Sequence, residues 1–93
     1  MNKMEEIQVI VLNNGLNLIS KVSQVSSDLG EPDCKLNKPF LIIDDKIRNV
    51  KVLEPWLSDL TENDDSILIS SDKILTLVDP KETLLNNYLS LIK

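Results

Sequence analysis

Ser66-Ile67-Leu68-Ile69-Ser70-Ser71-Asp72-Lys73-Ile74-Leu75-Thr76-Leu77-Val78 is the stretch that decides the architecture, because two apolar runs meet in it across a short polar corner. Ile67 and Ile69 alternate with Leu68 and Ser70, and Ile74, Thr76 and Val78 alternate with Leu75 and Leu77. Both runs fit the period of two of a β-strand. Both faces of the second run are largely apolar. An edge strand in a small domain normally turns one polar face to water, so the pattern predicts that another chain covers it.

Upstream, Asn14-Gly15 is a hairpin signal, since a two-residue type I′ turn needs positive φ at both central positions. Counting back from it pairs Val11 with Leu18, Val9 with Ser20 and Ile7 with Val22 on one face, and Gln8 with Lys21 and Ile10 with Ile19 on the other. The first face is the expected core face. Residues 1–6 are polar and suggest a frayed end or a short helical turn. Ser26 to Asp33, with Gly30 and Pro32, reads as a loop.

Cys34 to Ile43 reads as a strand containing Pro39, which lacks a backbone donor and so marks an edge, a bulge or a strand start. Asp44-Asp45-Lys46 follows as its turn. Arg48 to Leu53 alternates again, and Glu54-Pro55-Trp56-Leu57 continues that strand or bends it away. Trp56, the largest side chain, is expected to anchor packing rather than bind a ligand. Ser58 to Asp65 is an acidic connection. Downstream of Val78, Asp79-Pro80-Lys81-Glu82 has the form of a helix start, and Leu84, Leu85, Tyr88, Leu89, Leu91 and Ile92 recur at helical spacing. The spacing predicts an amphipathic helix over 80–92.

A chain of 93 residues makes one domain with one core, spanning residues 1–93. Its net charge of −5 opposes binding to phosphate backbones or anionic lipid. The charge is uneven, however. Residues 34–53 carry Lys35, Lys38, Lys46, Arg48 and Lys51 against two acids, net +3, whereas residues 54–79 carry seven acids against Lys73, net −6. These are two solvated surfaces or, alternatively, a basic patch that meets an anionic partner. The single Cys34 makes no intrachain disulfide, there is no signal-peptide pattern, and no apolar run approaches the roughly 20 residues of a membrane span. The expected setting is cytoplasmic, with no membrane partner.

The absence of histidine removes the usual general base, the Ser-His-Asp arrangement and histidine metal sites. Asp59, Thr61, Asn63 and Asp65 have the alternation of a calcium loop. Its sixth position would be Asp64 where Gly is required, and its twelfth Ser70 where Glu is required. Asp44-Asp45 and Asp64-Asp65 read as solvated carboxylates rather than an acid and base pair. The chain is therefore expected to be no enzyme and to need neither metal nor cofactor.

Val9-Ile10-Val11-Leu12-Asn13-Asn14-Gly15 resembles the first motif of the Sm-like family (Sm, LSm and Hfq proteins), and Ile67 to Leu77 resembles the second, an apolar strand, a corner and a second apolar strand. The resemblance covers about a third of the chain. It implies a mainly β fold: a strongly bent antiparallel, SH3-like barrel of about five strands over residues 6–78, with the helix at the C-terminus rather than before the first strand. It also implies a homo-oligomeric ring, with Ile67, Leu68, Ile69, Ile74, Leu75, Thr76 and Leu77 at the subunit interface, and single-stranded RNA as the ligand class.

The family's base pocket uses an Arg-Gly corner and an Asp-x-x-Met-Asn segment. Ser70-Ser71 stands at the corner here, and Ser26 to Gly30 does not match the segment. The inherited pocket is thus expected to be lost. Ser70, Ser71 and Lys73, with Lys35, Lys38, Lys46, Arg48 and Lys51, remain as candidate contacts for weak RNA binding. Two readings stand: a ring-forming binding or scaffolding module, and a purely structural or protein-interaction ring such as a phage accessory or assembly factor. Richness in Lys, Asn and Ile is compatible with a phage or AT-rich bacterial source.

Overall fold

The computed structural model of the chain describes residues 6–26, 28–63 and 66–93. The expectations for residues 1–5 and for Asp64-Asp65 lie outside the described residues. The strands are β1 (Glu6–Leu12), β2 (Asn17–Gln24), β3 (Cys34–Asp45), β4 (Val50–Pro55), β5 (Ile67–Ile69) and β6 (Ile74–Val78). A single 3-10 turn, Ser71–Lys73, joins β5 to β6, and helix α1 (Glu82–Leu91) ends the chain. The expected pair of strands around a short polar corner is present.

All six strands share one antiparallel sheet, ordered β4-β3-β2-β1-β6, with β5 on β3. β4 pairs with Phe40–Asp45 and β5 with Cys34–Leu36, so both lie on the side of β3 away from β2. They are two halves of one strand, split by the insertion 56–66. This is why six strands occur where about five were expected. Among the described residues no ladder joins the two ends of the sheet, which is therefore not closed.

The hairpin corrects the sequence reading. Leu12 N–H donates to Leu16 O at 2.9 Å and Gly15 N–H to Leu12 O at 2.9 Å, which closes a three-residue loop, Asn13-Asn14-Gly15. Gly15 takes φ 90°, the left-handed third position that follows a type I turn in such loops. One extra loop residue shifts the register by one: Ile10 pairs with Leu18, Val9 with Ile19 and Ile7 with Lys21. Because side chains alternate, that shift exchanges the faces of β1. Ile10 and Leu12 are buried, while Ile7, Val9 and Val11 are half-buried. On β2, Leu18 and Val22 are buried as expected, and so is Ile19 on the opposite face.

The sheet is consequently buried on both faces, and the expectation of a single core is corrected. Ile10, Leu12, Leu18, Val22 and Leu36 form one cluster, against which Leu41, Trp56, Ile67, Ile69 and Ile74 pack. Trp56 thus anchors packing as expected. Ile19, Phe40, Leu53 and Tyr88 form the second, with Ile7, Ile42, Leu84 and Ile92 against it. α1 supplies that second cover. The helix is capped by Lys81, whose side chain makes no capping bond, so Asp79-Pro80 does not start it and the predicted 80–92 shortens to Glu82–Leu91.

Pro39 sits at a bulge, one of its three expected positions. Phe40 pairs with Ile19 and Asn37 with Lys21, leaving Lys38 and Pro39 opposite Ser20 alone. Lys38 has φ 54° there. Such a break exposes ladder groups, and buried polar groups need partners. Two hydroxyls supply them. Tyr88 OH accepts from Lys21 N–H at 3.2 Å and lies 2.8 Å from Lys38 O and 3.1 Å from Asn37 O. Ser20 Oγ lies 3.1 Å from Asn37 O and 2.9 Å from Lys21 O.

Candidate functional site

The polar corner is held from two sides. Asn13 N–H donates to Lys73 O at 2.9 Å, and its Nδ2 donates to Asp72 O at 2.9 Å, fastening the β1–β2 tip to the turn. From the β2–β3 loop, the Asp33 carboxylate accepts both Ser71 N–H and Ser71 Oγ–H at 2.7 Å. The Ser71 hydroxyl first, and its backbone N–H second, lower the pKa of the Asp33 carboxyl from its ordinary 3.8. Both contacts favour the anion.

Ser70 and Ser71 line an open depression of about 560 Å³ together with Asp28, Leu29, Gly30, Glu31, Asp33 and Asp72. Four carboxylates and no cation line it. Such a wall repels phosphate. Lys73 lies instead beside Leu12, Asn13 and Asn14 in a separate hollow. The corner serines are therefore brought together, but with acids, and Lys73, although its N–H donates to Ser70 O at 3.0 Å, lines the other hollow. Asp33 was not singled out in the sequence. Its position between Pro32 and Cys34 carries no signal, because its partner is 38 residues away.

The other basic candidates are not assembled into one patch. Lys35 lies opposite Leu68, Lys38 at the bulge, Lys46 and Arg48 in the β3–β4 turn, and Lys51 on β4. The twelve residues of β3 have a contour length of about 40 Å at about 3.3 Å each, and these residues are spread along it. Asp45 accepts from Ile47 N–H and Arg48 N–H at 3.1 Å and from Arg48 Nε at 2.7 Å. The Arg48 guanidinium, followed by the backbone donors, lowers the Asp45 carboxyl pKa. Lys51 Nζ lies 3.0 Å from Asp44 Oδ1. Asp44 and Asp45 thus serve their own hairpin. The turn itself is residues 46–49, beginning two residues later than the expected Asp44-Asp45-Lys46.

The expected interface residues divide into two sets. Ile67, Ile69 and Ile74 pack on the first cluster, whereas Leu68 is 54% exposed, Leu75 69% and Leu77 40%. Thr76 is also exposed. Cys34 is buried, and burial, then the Asp33 charge, raises its thiol pKa. Among the described residues, no group of His, Cys, Asp and Glu is placed to hold a metal ion, and no helix is long and apolar enough to cross a membrane.

The profile of a family described as a family of unknown function, DUF6561, matches residues 5–93. No curated protein matches the chain.

Proposed function

The chain belongs to DUF6561, a family of unknown function, and from its geometry we propose that it is a self-assembling scaffold module, a divergent Sm-like domain that forms a closed homo-oligomer. The observation that carries this reading is β6. Among the described residues it has a strand neighbour on one side only, β1, and it leaves Leu75, Leu77 and Val78 exposed. Ile74 to Val78 contains no proline and no charge, the devices that ordinarily blunt a free edge. β5, at the opposite side of the sheet, exposes Leu68 and, among the described residues, pairs only with β3. Pairing β5 of one copy with β6 of the next would cover both. A head-to-tail contact that repeats must close or grow into a fibre, and closure leaves no apolar edge in water.

Two observations favour a protein scaffold over an RNA ring. Carboxylates line the depression at Ser70-Ser71, and Arg48 and Lys51 are ion-paired within their own hairpin. Native mass spectrometry at micromolar concentration tests the reading. The wild type should give a discrete oligomer without copurifying nucleic acid, and Leu75→Glu with Leu77→Glu should lose that oligomer while the chain stays folded. A wild-type monomer would sink the proposal, and a ring saturated with nucleic acid would return it to the RNA class.

A further inference from the structure

The β4 half of the edge that it shares with β5 carries a second surface, which the pairing of β5 with β6 does not use. Between β4 and the first half of α1 runs a groove of about 480 Å³, lined by Val50, Lys51, Lys81, Thr83, Leu84 and Asn87. Among the described residues the charges in its lining are Lys81 and Lys51, the latter with its Nζ 3.0 Å from Asp44 Oδ1. Beyond Pro55 the chain presents the complementary chemistry in Leu57-Ser58-Asp59-Leu60-Thr61-Glu62-Asn63. Leu57 takes φ 68°, and its carbonyl accepts both Leu60 N–H at 2.9 Å and Thr61 N–H at 3.1 Å. This tight turn presents Leu60, 82% exposed, between Asp59 and Glu62. Leu60 does not fill its own chain's groove, which lies at the other end of β4, about 13 Å away along the strand from Pro55 to Lys51.

Strand direction brings the two together in a pair of copies. Among the described residues β4 has no strand neighbour on its outer side. Trp56 N–H donates inward to Pro39 O at 2.9 Å, so by alternation Val50, Val52 and Glu54 bond β3, while the backbone groups of Lys51 and Leu53 face outward. Those outward groups are self-complementary about Val52: Lys51 of one copy can exchange both bonds with Leu53 of the other. An antiparallel pair then carries each segment beyond Pro55 toward the Val50 end of its neighbour.

We propose that a second copy of this chain pairs edge to edge across β4, about a two-fold axis at Val52. Each copy's Leu60 enters the other's groove, with Asp59 and Glu62 against Lys51 and Lys81. Pro55, which has no N–H, ends the ladder after two bonded pairs, and a two-fold contact closes instead of propagating. This goes beyond the assembly reading above and uses the other half of the edge to which β5 belongs.

Cysteine cross-linking tests it. At the axis, Val52 faces its own copy as a pair that makes no ladder bonds, with Cα atoms about 4.5 Å apart, within disulfide reach. Two Val50 residues would stand about 13 Å apart, beyond it. Val50 is the more exposed of the two, so random collision would favour it. Under mild oxidation, Val52→Cys should give a disulfide-linked dimer, whereas Val50→Cys and the wild type, whose Cys34 is buried, should not.

Leu60→Asp in the Val52→Cys background should slow cross-linking about tenfold or more. Lys51→Glu with Lys81→Glu should do the same, and adding Asp59→Lys with Glu62→Lys should restore the rate. Equal cross-linking at positions 50 and 52, or no effect of Leu60→Asp, would overturn the proposal. Native mass spectrometry of the Leu75→Glu, Leu77→Glu variant carrying Val52→Cys separates the two contacts: a β4-linked dimer should survive when the larger assembly is lost.

Discussion

Replacing Tyr88 by Phe should cost more than the loss of one surface hydroxyl, because that oxygen closes the break in the β2–β3 ladder. In the wild type it accepts Lys21 N–H at 3.2 Å and lies within donating distance of Asn37 O and Lys38 O. Phe keeps the ring and its edge-on contact with Phe40, at 5.7 Å and 88°, so packing changes little. Asn37 O retains Ser20 Oγ at 3.1 Å. Lys21 N–H loses its hydroxyl acceptor. A buried donor left unpaired costs about 1 to 3 kcal/mol. For a domain of this size each kcal/mol lowers Tm by about 4 to 8 °C. Urea and thermal melts of wild type, Tyr88→Phe, Ser20→Ala and the double variant measure it. The two single changes should couple by about 0.5 kcal/mol or more, since both hydroxyls approach Asn37 O. A Tyr88→Phe loss below about 0.3 kcal/mol, with additive behaviour of the pair, would refute the idea that the bulge depends on these hydroxyls.

The remaining predictions concern the loop, the corner and the ligand. Gly15→Val should destabilise by about 1 kcal/mol or more in denaturant melts, because φ 90° is strained for a β-branched residue although the space around it is open. Asp33 has a folded-state pKa below its ordinary 3.8, so its contribution to stability is complete above that value and is lost as pH falls through the lower folded value. Wild type should therefore lose more stability than Asp33→Asn between about pH 5 and pH 2.5 in urea titrations, and parallel losses would count against the Ser71 contact. A short A-rich or U-rich single strand should bind with a Kd in the micromolar range or weaker, and the affinity should fall steeply with salt, because stacking contributes about 1 to 3 kcal/mol per base and this chain has three aromatic residues and one arginine. Nanomolar binding at physiological salt in a labelled-oligonucleotide titration would contradict the acidic corner's role.

Local pattern was enough for the strands around Ser70–Lys73, the terminal helix, the loop before Cys34 and a bulge as one option at Pro39, because each is set by residues adjacent in the chain. Period-two alternation and helical spacing are properties of the backbone itself. Register was not set that way. Asn14-Gly15 is compatible with a two-residue or a three-residue loop, and a difference of one residue decides whether Ile10 or Val11 meets Leu18. Only packing selects: burying Ile10 and Leu12 with Leu36 on one face leaves Ile19 for Tyr88 on the other. The second core was hidden because its members, Ile19, Phe40, Leu53 and Tyr88, come from four separate elements. The same reason hid the Asp33–Ser71 contact and scattered the lysines that cluster in sequence between 35 and 51. Composition and periodicity thus determined the kind of elements and their order, while long-range pairing decided which faces are buried and which charges stand together.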